Sequence, residues 1–214
     1  MAQTRATASA PVDGTPHQRG EVDPLSRRVS PYSFGEKVRR ALWMLAGQPL
    51  MRLSFHNWYG FRAALLRAFG AKIGAHVRVR PTVKVEQPWN LAIGENSSVG
   101  DYAILYCLGP VRIGKNVSVS QYVHLCAGSH DYTRSDLPLL RPPITIEDDV
   151  WLAADVFVGP SVTIGKGAVV GARASVFKDL APGKVYGGEP ARVLRDRVGW
   201  SDKGDDGTQE GQGA

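Results

Sequence analysis

From Ile73 to Pro182 an aliphatic side chain recurs at every sixth position, and the residues between are mostly polar, small or turn-forming. The hexads open on Ile73, Val79 and Val85, then Ile93, Val99 and Leu105, then Ile113, Val119 and Leu125. After a break they resume at Ile146, Leu152, Val158, Ile164, Val170 and Val176. A period of six matches neither the helical repeat nor a hairpin meander. It suits a coil of short strands and corners, in which each hexad is one face of a prism and three hexads complete a turn. The fifth position is small or branched as well, at Val77, Val83, Ala103, Val117, Val123, Ser129, Val150, Val156, Val162, Ala168 and Ala174. Because side chains alternate along a strand, two inward points per hexad leave the others for solvent and corners. Glycine at the second position (Gly74, Gly94, Gly100, Gly114, Gly165, Gly171), with Gly, Asn or Asp nearby, is expected to supply the permissive backbone of the corner.

Turns of this coil begin at Ile73, Ile93, Ile113, Ile146 and Ile164, which predicts about five coils, with spacings of 20, 20, 33 and 18 residues. The long spacing places an insertion at residues 130–145. In a stack where each repeat touches only its neighbours, such a segment has to leave the prism as a side loop, and long loops in compact repeats tend to carry function. The handedness of the coil does not follow from the pattern.

Ahead of the prism the periodicity is helical: Val38, Leu42, Leu45 and Ala46, then, beyond Gly47 and Pro49, Leu50, Leu53, Trp58, Phe61, Leu65 and Phe69. Pro49 fits the first turn of a second helix. Arg39, Arg40, Arg52, Arg62 and Arg67 interrupt the apolar residues too often for a membrane span. Residues 31–72 are therefore expected to form an amphipathic helical cap over the open end of the solenoid. A second reading lays the same basic, Trp-bearing helices on an anionic membrane surface. Residues 1–30 and 199–214 are polar, rich in small residues and without a core, and read as a disordered leader and tail. Residues 183–198 read as an extension that turns off the stack.

Charge refines this picture. The chain carries +6 overall, but residues 1–72 hold 11 basic against 4 acidic groups, so the prism itself is close to neutral. No stripe of basic residues interleaved with stacking aromatics is present, which argues against nucleic acid as a partner. Cys107 and Cys126 have no metal-ligand spacing, and free thiols without a secretory leader point to a reducing cytoplasm.

Four stretches resemble a known family: LLRAFGAKIG (Leu65 to Gly74), PWNLAIG (Pro88 to Gly94), LCAGSHDY (Leu125 to Tyr132), and the run from Pro143 to GGEPARVLR. They look like the hexapeptide-repeat acyltransferases, closest to the colanic acid biosynthesis acetyltransferase branch and the galactoside and maltose O-acetyltransferases. The resemblance implies an all-β solenoid, a left-handed parallel β-helix, that assembles as a homotrimer and takes acetyl-CoA as acetyl donor, with no metal. It implies a sugar or glycan acceptor from exopolysaccharide assembly. The chain departs from the family pattern at Pro160-Ser161 and at Gly171-Ala172-Arg173-Ala174, and Ile104 to Cys107 lacks the Asn that the sugar enzymes place below the catalytic histidine.

His130, at the lip of the insertion and followed by Asp131 and Tyr132, matches the family's catalytic base. An imidazole suits O-acetyl transfer because a sugar hydroxyl must lose its proton as it attacks the thioester carbon, and a neutral imidazole accepts it at cytoplasmic pH. Asp131, Asp136 or a backbone carbonyl would hold the ring's tautomer, and a backbone N–H would meet the oxyanion. Asp131, Tyr132 and Trp151 are the candidates for the acceptor pocket. For coenzyme A, Ala153, Ala154, Gly171 and Ala172 would let the pantetheine arm approach the backbone, and Lys166, Lys178 and Arg192 would meet its phosphates. The zinc hydrases built on the same fold are the rival class, with His76, His124 and His130 as the available ligands; that family spaces its adjacent pair by five, and here His124 and His130 are six apart. A non-catalytic scaffold is the third reading. His17 falls in the disordered leader, and His56 and His76 read as surface groups.

Overall fold

The computed structural model describes residues 30–201, so the leader up to residue 29 and the tail from 202 lie outside the described residues. The hexads form a three-sided parallel β-solenoid. One face stacks Lys72–Ile73, Leu91–Ile93, Val111–Ile113, Ile144–Ile146 and Thr163–Ile164 in that order. The second stacks Arg78–Val79, Ser98–Val99, Ser118–Val119, Trp151–Leu152 and Val169–Val170, and the third Lys84–Val85, Ile104–Tyr106, His124–Cys126, Phe157–Val158 and Ser175–Val176. In every strand pair the hexad-opening aliphatics are in register, as in Ile73 on Ile93 on Ile113 on Ile146 on Ile164. All fifteen are buried. Position-five residues are buried too, except Ser129, where the chain leaves the stack.

The corners are built differently from the expectation. The left-handed backbone falls at hexad position four, on His76, Asn96, Tyr102, Asn116, Tyr122, Asp149, Asp155, Ser161, Gly167 and Arg173. A non-glycine residue there costs roughly 1–2 kcal/mol, and a stack-wide hydrogen bond offsets it. The turned N–H of Asn96 donates to Ala75 O, that of Asn116 to Glu95 O, that of Asp149 to Lys115 O and that of Arg173 to Ala154 O. Position-two glycines serve another purpose. None of the six has a positive φ, and a Cβ at Gly74, Gly94 or Gly114 would lie within 3 Å of the next coil's backbone. They are glycines so that neighbouring corners can nest.

The helical cap forms as expected, with Pro49 in the first turn of its second helix, but no gap separates the first two helices. Helix α1 (Phe34–Leu42) runs without a break through a π turn (Trp43–Gly47) into α2 (Gln48–Leu53), and the chain breaks only at 54–58 before α3 (Tyr59–Ala68). The widened turn, in which Gln48 N–H bonds to Trp43 O, accommodates the missing donor of Pro49. Gly47 has no side chain because the Trp43 ring occupies its Cβ position.

These helices close the first coil with side chains. Trp43 Nε1 donates to Val85 O at 2.7 Å, Gln48 Nε2 to Val83 O at 2.9 Å, and Arg67 to Ile73 O at 2.9 Å. Arg62, fully buried, donates to Val79 O at 2.6 Å and to Ser54 Oγ, Phe55 O and His56 O. Burial pulls the Arg62 pKa below the usual guanidinium value. Carbonyls that a preceding coil would have bonded are thereby satisfied on all three faces.

At the other end the backbone does this work, and the coil count rises to about six. Leu180 bridges to Ile164, and Lys184–Gly187 adds a parallel strand to Val169–Val170 on the second face. The extension thus continues the stack before Arg192–Asp196 folds back antiparallel on Lys184–Gly187. Trp200 then covers Gly167 and Gly183, and Arg197 donates to Asp149 O and Gly167 O along one edge.

Candidate active site

All the extra residues of the 20- and 33-residue coils emerge on one edge, between the third face and the first. The lowest addition is a 3-10 turn, Pro88–Asn90, whose Asn90 Nδ2 donates to Cys107 O and Leu108 O of the turn above. Gly109 N–H in that turn donates to Ala127 O. Gly109 is packed against the carbonyls of Arg141 and Pro142, which close the base of the third and largest addition. The Cys107 thiol is buried here, pushed up to about 11 by loss of water, so it remains a packed thiol and no nucleophile.

That largest addition is a hairpin. Ser129–His130 pairs antiparallel with Leu139–Leu140, Ser129 opposite Leu140 and His130 opposite Leu139. Its tip is held by its own polar groups. Asp131 accepts from Thr133 N (3.0 Å) and Thr133 Oγ1 (2.6 Å), while Arg134 forms a forked pair with Asp136 at 3.0 and 2.8 Å. Leu137 is turned to φ 47°, and its carbonyl oxygen lies 2.6 Å from His130 Nδ1. A carbonyl only accepts, so Nδ1 carries the proton and Nε2 presents a lone pair at the exposed edge. Of the partners expected for the ring, the backbone carbonyl of Leu137 is the one at hydrogen-bond distance from Nδ1, while Asp131 accepts from Thr133 and Asp136 from Arg134.

The hairpin base is tied to the helical segment. Arg141 reaches Glu36 at 2.9 Å, and Tyr32 lies between the guanidinium groups of Arg40 and Arg141, 4.0 and 4.9 Å from its ring. Glu36 and Ser33 form a reciprocal cap on α1, and the Ser33 N–H, then Arg141, holds the Glu36 carboxyl below its usual range.

The other candidates are spread over the prism. Tyr132 is at the hairpin tip, 87% exposed. Trp151 lies outward on the second face, in register with Ser118 and hydrogen-bonded to Ser120 Oγ, opposite the His130 edge. Ala153 and Ala154 stack under Gly171 and Ala172 on the edge between the second and third faces, where a Cβ on Gly171 would meet only Tyr186 O, at 3.1 Å, and Gly187 Cα, at 3.9 Å. This is a smooth, small-residue gutter. Lys178 and Arg192 line one groove at the C-terminal end of the stack, with Phe177, Asp179 and Tyr186, Arg192 being paired with Gly187. Lys166 stands on the remaining edge, so the three cations do not form one cluster.

The rival ligand set does not converge. His76 is a corner residue of the first coil. His124 lies on the third face between Tyr106 and Phe157, ring centroids 6.4 and 5.4 Å away, with its pKa lowered by desolvation and then by Lys84. Among the described residues no three His, Cys, Asp or Glu side chains are placed to share a metal ion.

The profile described as "Bacterial transferase hexapeptide (six repeats)" matches residues 143–178. WcaF of Escherichia coli K12, named for an acetyltransferase role in colanic acid biosynthesis, is 46% identical over 164 residues, covering 77% of this chain and 90% of that protein. Galactoside O-acetyltransferase of Escherichia coli K12 is 33% identical over 145 residues, 63% of this chain and 68% of that one. Among solved structures, the hexapeptide-repeat acetyltransferase VCA0836 of Vibrio cholerae, complexed with acetyl coenzyme A, superposes with a TM-score of 0.72 at 28% identity, covering 78% of this chain and 91% of that one. With its hexad prism, its edge hairpin and these relatives, the chain belongs to the hexapeptide-repeat acetyltransferases.

Proposed function

We propose that this protein transfers the acetyl group of acetyl-CoA to a hydroxyl of a sugar or exopolysaccharide intermediate, as a cytoplasmic homotrimer with His130 as general base. The observation that carries this reading is the contact of His130 Nδ1 with Leu137 O, which leaves Nε2 as a fixed, outward-facing acceptor. Nε2 takes the hydroxyl proton as the sugar oxygen bonds to the thioester carbonyl carbon. The tetrahedral adduct then collapses, its carbon–sulfur bond breaks, and the departing thiolate takes the proton from the imidazolium. The ring ends as it began.

The surroundings fit a coenzyme A thioester. The gutter at Ala153, Ala154, Gly171 and Ala172 admits a narrow chain against the backbone, and Lys178 and Arg192 offer cations for phosphate. Within one prism, however, the gutter and Trp151 are on different sides from His130. Three prisms packed around a common axis bring one copy's His130 edge beside another copy's gutter, which makes a concave site from convex parts. Light scattering at micromolar concentration should therefore give the trimer mass, and a monomer would contradict it.

The functional test is His130→Ala, assayed with labelled acetyl-CoA against a panel of sugars, nucleotide sugars and lipid-linked oligosaccharides. Turnover should fall by roughly 10²–10⁴, with coenzyme A binding by calorimetry nearly unchanged. Near-normal turnover with a verified acceptor would remove the base from the mechanism.

A further inference from the structure

The continuous helix from Phe34 to Leu53 has two apolar sides. One, made by Trp43, Gly47 and Met51, is buried on the first coil. The other recurs at helical spacing along Phe34, Val38, Leu42, Leu45 and Leu53 and is open to solvent, with Leu45 80% and Leu53 82% exposed. Beyond the helix the stripe continues into Phe55, Trp58 and Phe61, whose rings meet edge to face at 4.9 and 5.9 Å and are each more than 40% exposed. Such a contiguous patch is unusual on a soluble surface.

Its chemistry identifies the occupant. Between Glu36 and Glu86 the sequence contains no Asp or Glu, while Lys37, Arg39, Arg40, Arg52, Arg62, Arg67, Lys72, Arg78, Arg80 and Lys84 are all basic. Lys37, Arg39 and Arg52 are all exposed on this helix; Arg39 stacks on Trp89 and donates to Phe69 O, and Arg52 lies over the Tyr102 ring, so Lys37 is the one of the three with no aromatic stacking contact to the prism. Residues 1–29 contain no Phe, Trp, Tyr or Ile and only one Leu, too little apolar surface to cover the stripe themselves. A second copy of this chain would bring its own cations against these, with no carboxylate from the segment to pair them. An apolar stripe edged by cations and ending in amphipathic aromatic rings matches the boundary between anionic headgroups and acyl chains.

We infer that the face of the N-terminal helices built by Leu42, Leu45, Leu53, Phe55, Trp58 and Phe61 docks on an anionic lipid surface. The contact is peripheral, since among the described residues no helix is long and apolar enough to cross a membrane. It is independent of the acetyl-transfer chemistry, whose groups lie on the prism edges.

The test uses the full chain and sucrose-loaded vesicles of equal parts phosphatidylglycerol and phosphatidylcholine, against vesicles of phosphatidylcholine alone. The wild type should sediment with the anionic vesicles and lose most of that binding between about 0.05 and about 0.5 M salt, where screening shortens from roughly 14 to roughly 4 Å. The double substitution Leu45→Glu with Leu53→Glu should lower vesicle binding at least about tenfold, as two apolar anchors become anions, at unchanged unfolding temperature and unchanged mass by light scattering. Lys37→Gln with Arg52→Gln should weaken binding to anionic vesicles alone. Absence of the wild type from the anionic pellet at low salt would overturn the inference. So would a fall in oligomer mass on the Leu45 and Leu53 substitutions, because the stripe would then be covered by a second copy.

Discussion

Inside the prism each aliphatic side chain repeats the role of the one above and below it, and each is buried at a position that a strand dictates. Val119 under Leu152 under Val170 is one such column. In the hairpin from Ser129 to Leu140 nothing is repeated. Asp131 holds Thr133, Arg134 holds Asp136, and one carbonyl holds one imidazole, all in an exposed segment. The prism derives its order from burial summed over many equivalent groups, which makes it rigid and chemically uniform. The hairpin derives its order from single polar contacts, which contribute little to stability and fix one imidazole, the proposed base. Substitutions in the prism should therefore lower stability with small effects on chemistry, and substitutions in the hairpin should do the reverse.

The largest stability effect is expected at Arg62, the fully buried member of the side-chain cap, which alone holds four acceptor groups. Arg62→Ala leaves Val79 O, Phe55 O and His56 O and the Ser54 hydroxyl without their donor. At about 1–3 kcal/mol for each group that stays dry, unfolding in denaturant should show a loss of about 4 kcal/mol or more. A change below 1 kcal/mol would mean that water takes over the cap. Within the stack, Val117→Ala, at a fully buried position five, should cost about 2 kcal/mol through lost methyl burial and a residual cavity, and turnover at a temperature where the variant is folded should be close to normal.

Asp131→Ala tests the other half of the comparison. It removes the turn that shapes the tip, so turnover should fall about tenfold, roughly 1.4 kcal/mol of barrier, with the thermal midpoint essentially unchanged. A loss of stability comparable with Val117→Ala would mean that the hairpin is structural after all. The smallest effect concerns the tether between hairpin and helix. Ser33→Ala should cost about 1 kcal/mol as a lost cap. Because Glu36 titrates below its usual value in the folded state, its contribution is present above the ordinary carboxylate range and lost as pH falls through the lowered folded value. The stability difference between wild type and Glu36→Gln should accordingly shrink below about pH 4.5, and a difference constant down to pH 2 would contradict the pairing.

The prism was legible in the sequence because its rule is periodic: fifteen hexad openings at fixed spacing leave one architecture. Its ends were not. Arg62 and Arg67 look like solvent-facing charges in a helical pattern, and only the structure shows their guanidinium groups replacing the hydrogen bonds of a missing coil. Pro49 does open a second helix, but a π turn joins that helix to the first without a gap, and position-two glycines proved to serve nesting, since corner geometry resides two positions later. In the site, His130 stood out by motif, but its orienting partner did not. Every residue has a carbonyl, so the role of Leu137 carries no side-chain signature, and the carboxylates nearest in sequence, Asp131 and Asp136, turned out to be committed to Thr133 and Arg134. Lys166, Lys178 and Arg192 looked like a group because they are close in sequence, whereas a prism with three edges separates residues twelve apart.

The central claim is that His130 serves as a base through Nε2 while Nδ1–H anchors the ring to Leu137 O. His130→Asn separates the two roles, because the Asn amide N–H replaces the Nδ1–H donor and supplies no basic nitrogen at the Nε2 position. With hairpin order followed by amide hydrogen exchange and acetyl transfer measured on the same protein, the expected result is native protection around Leu137 together with turnover as low as that of His130→Ala. Recovery of near-normal transfer in His130→Asn would contradict the claim and make this histidine a strut of the hairpin.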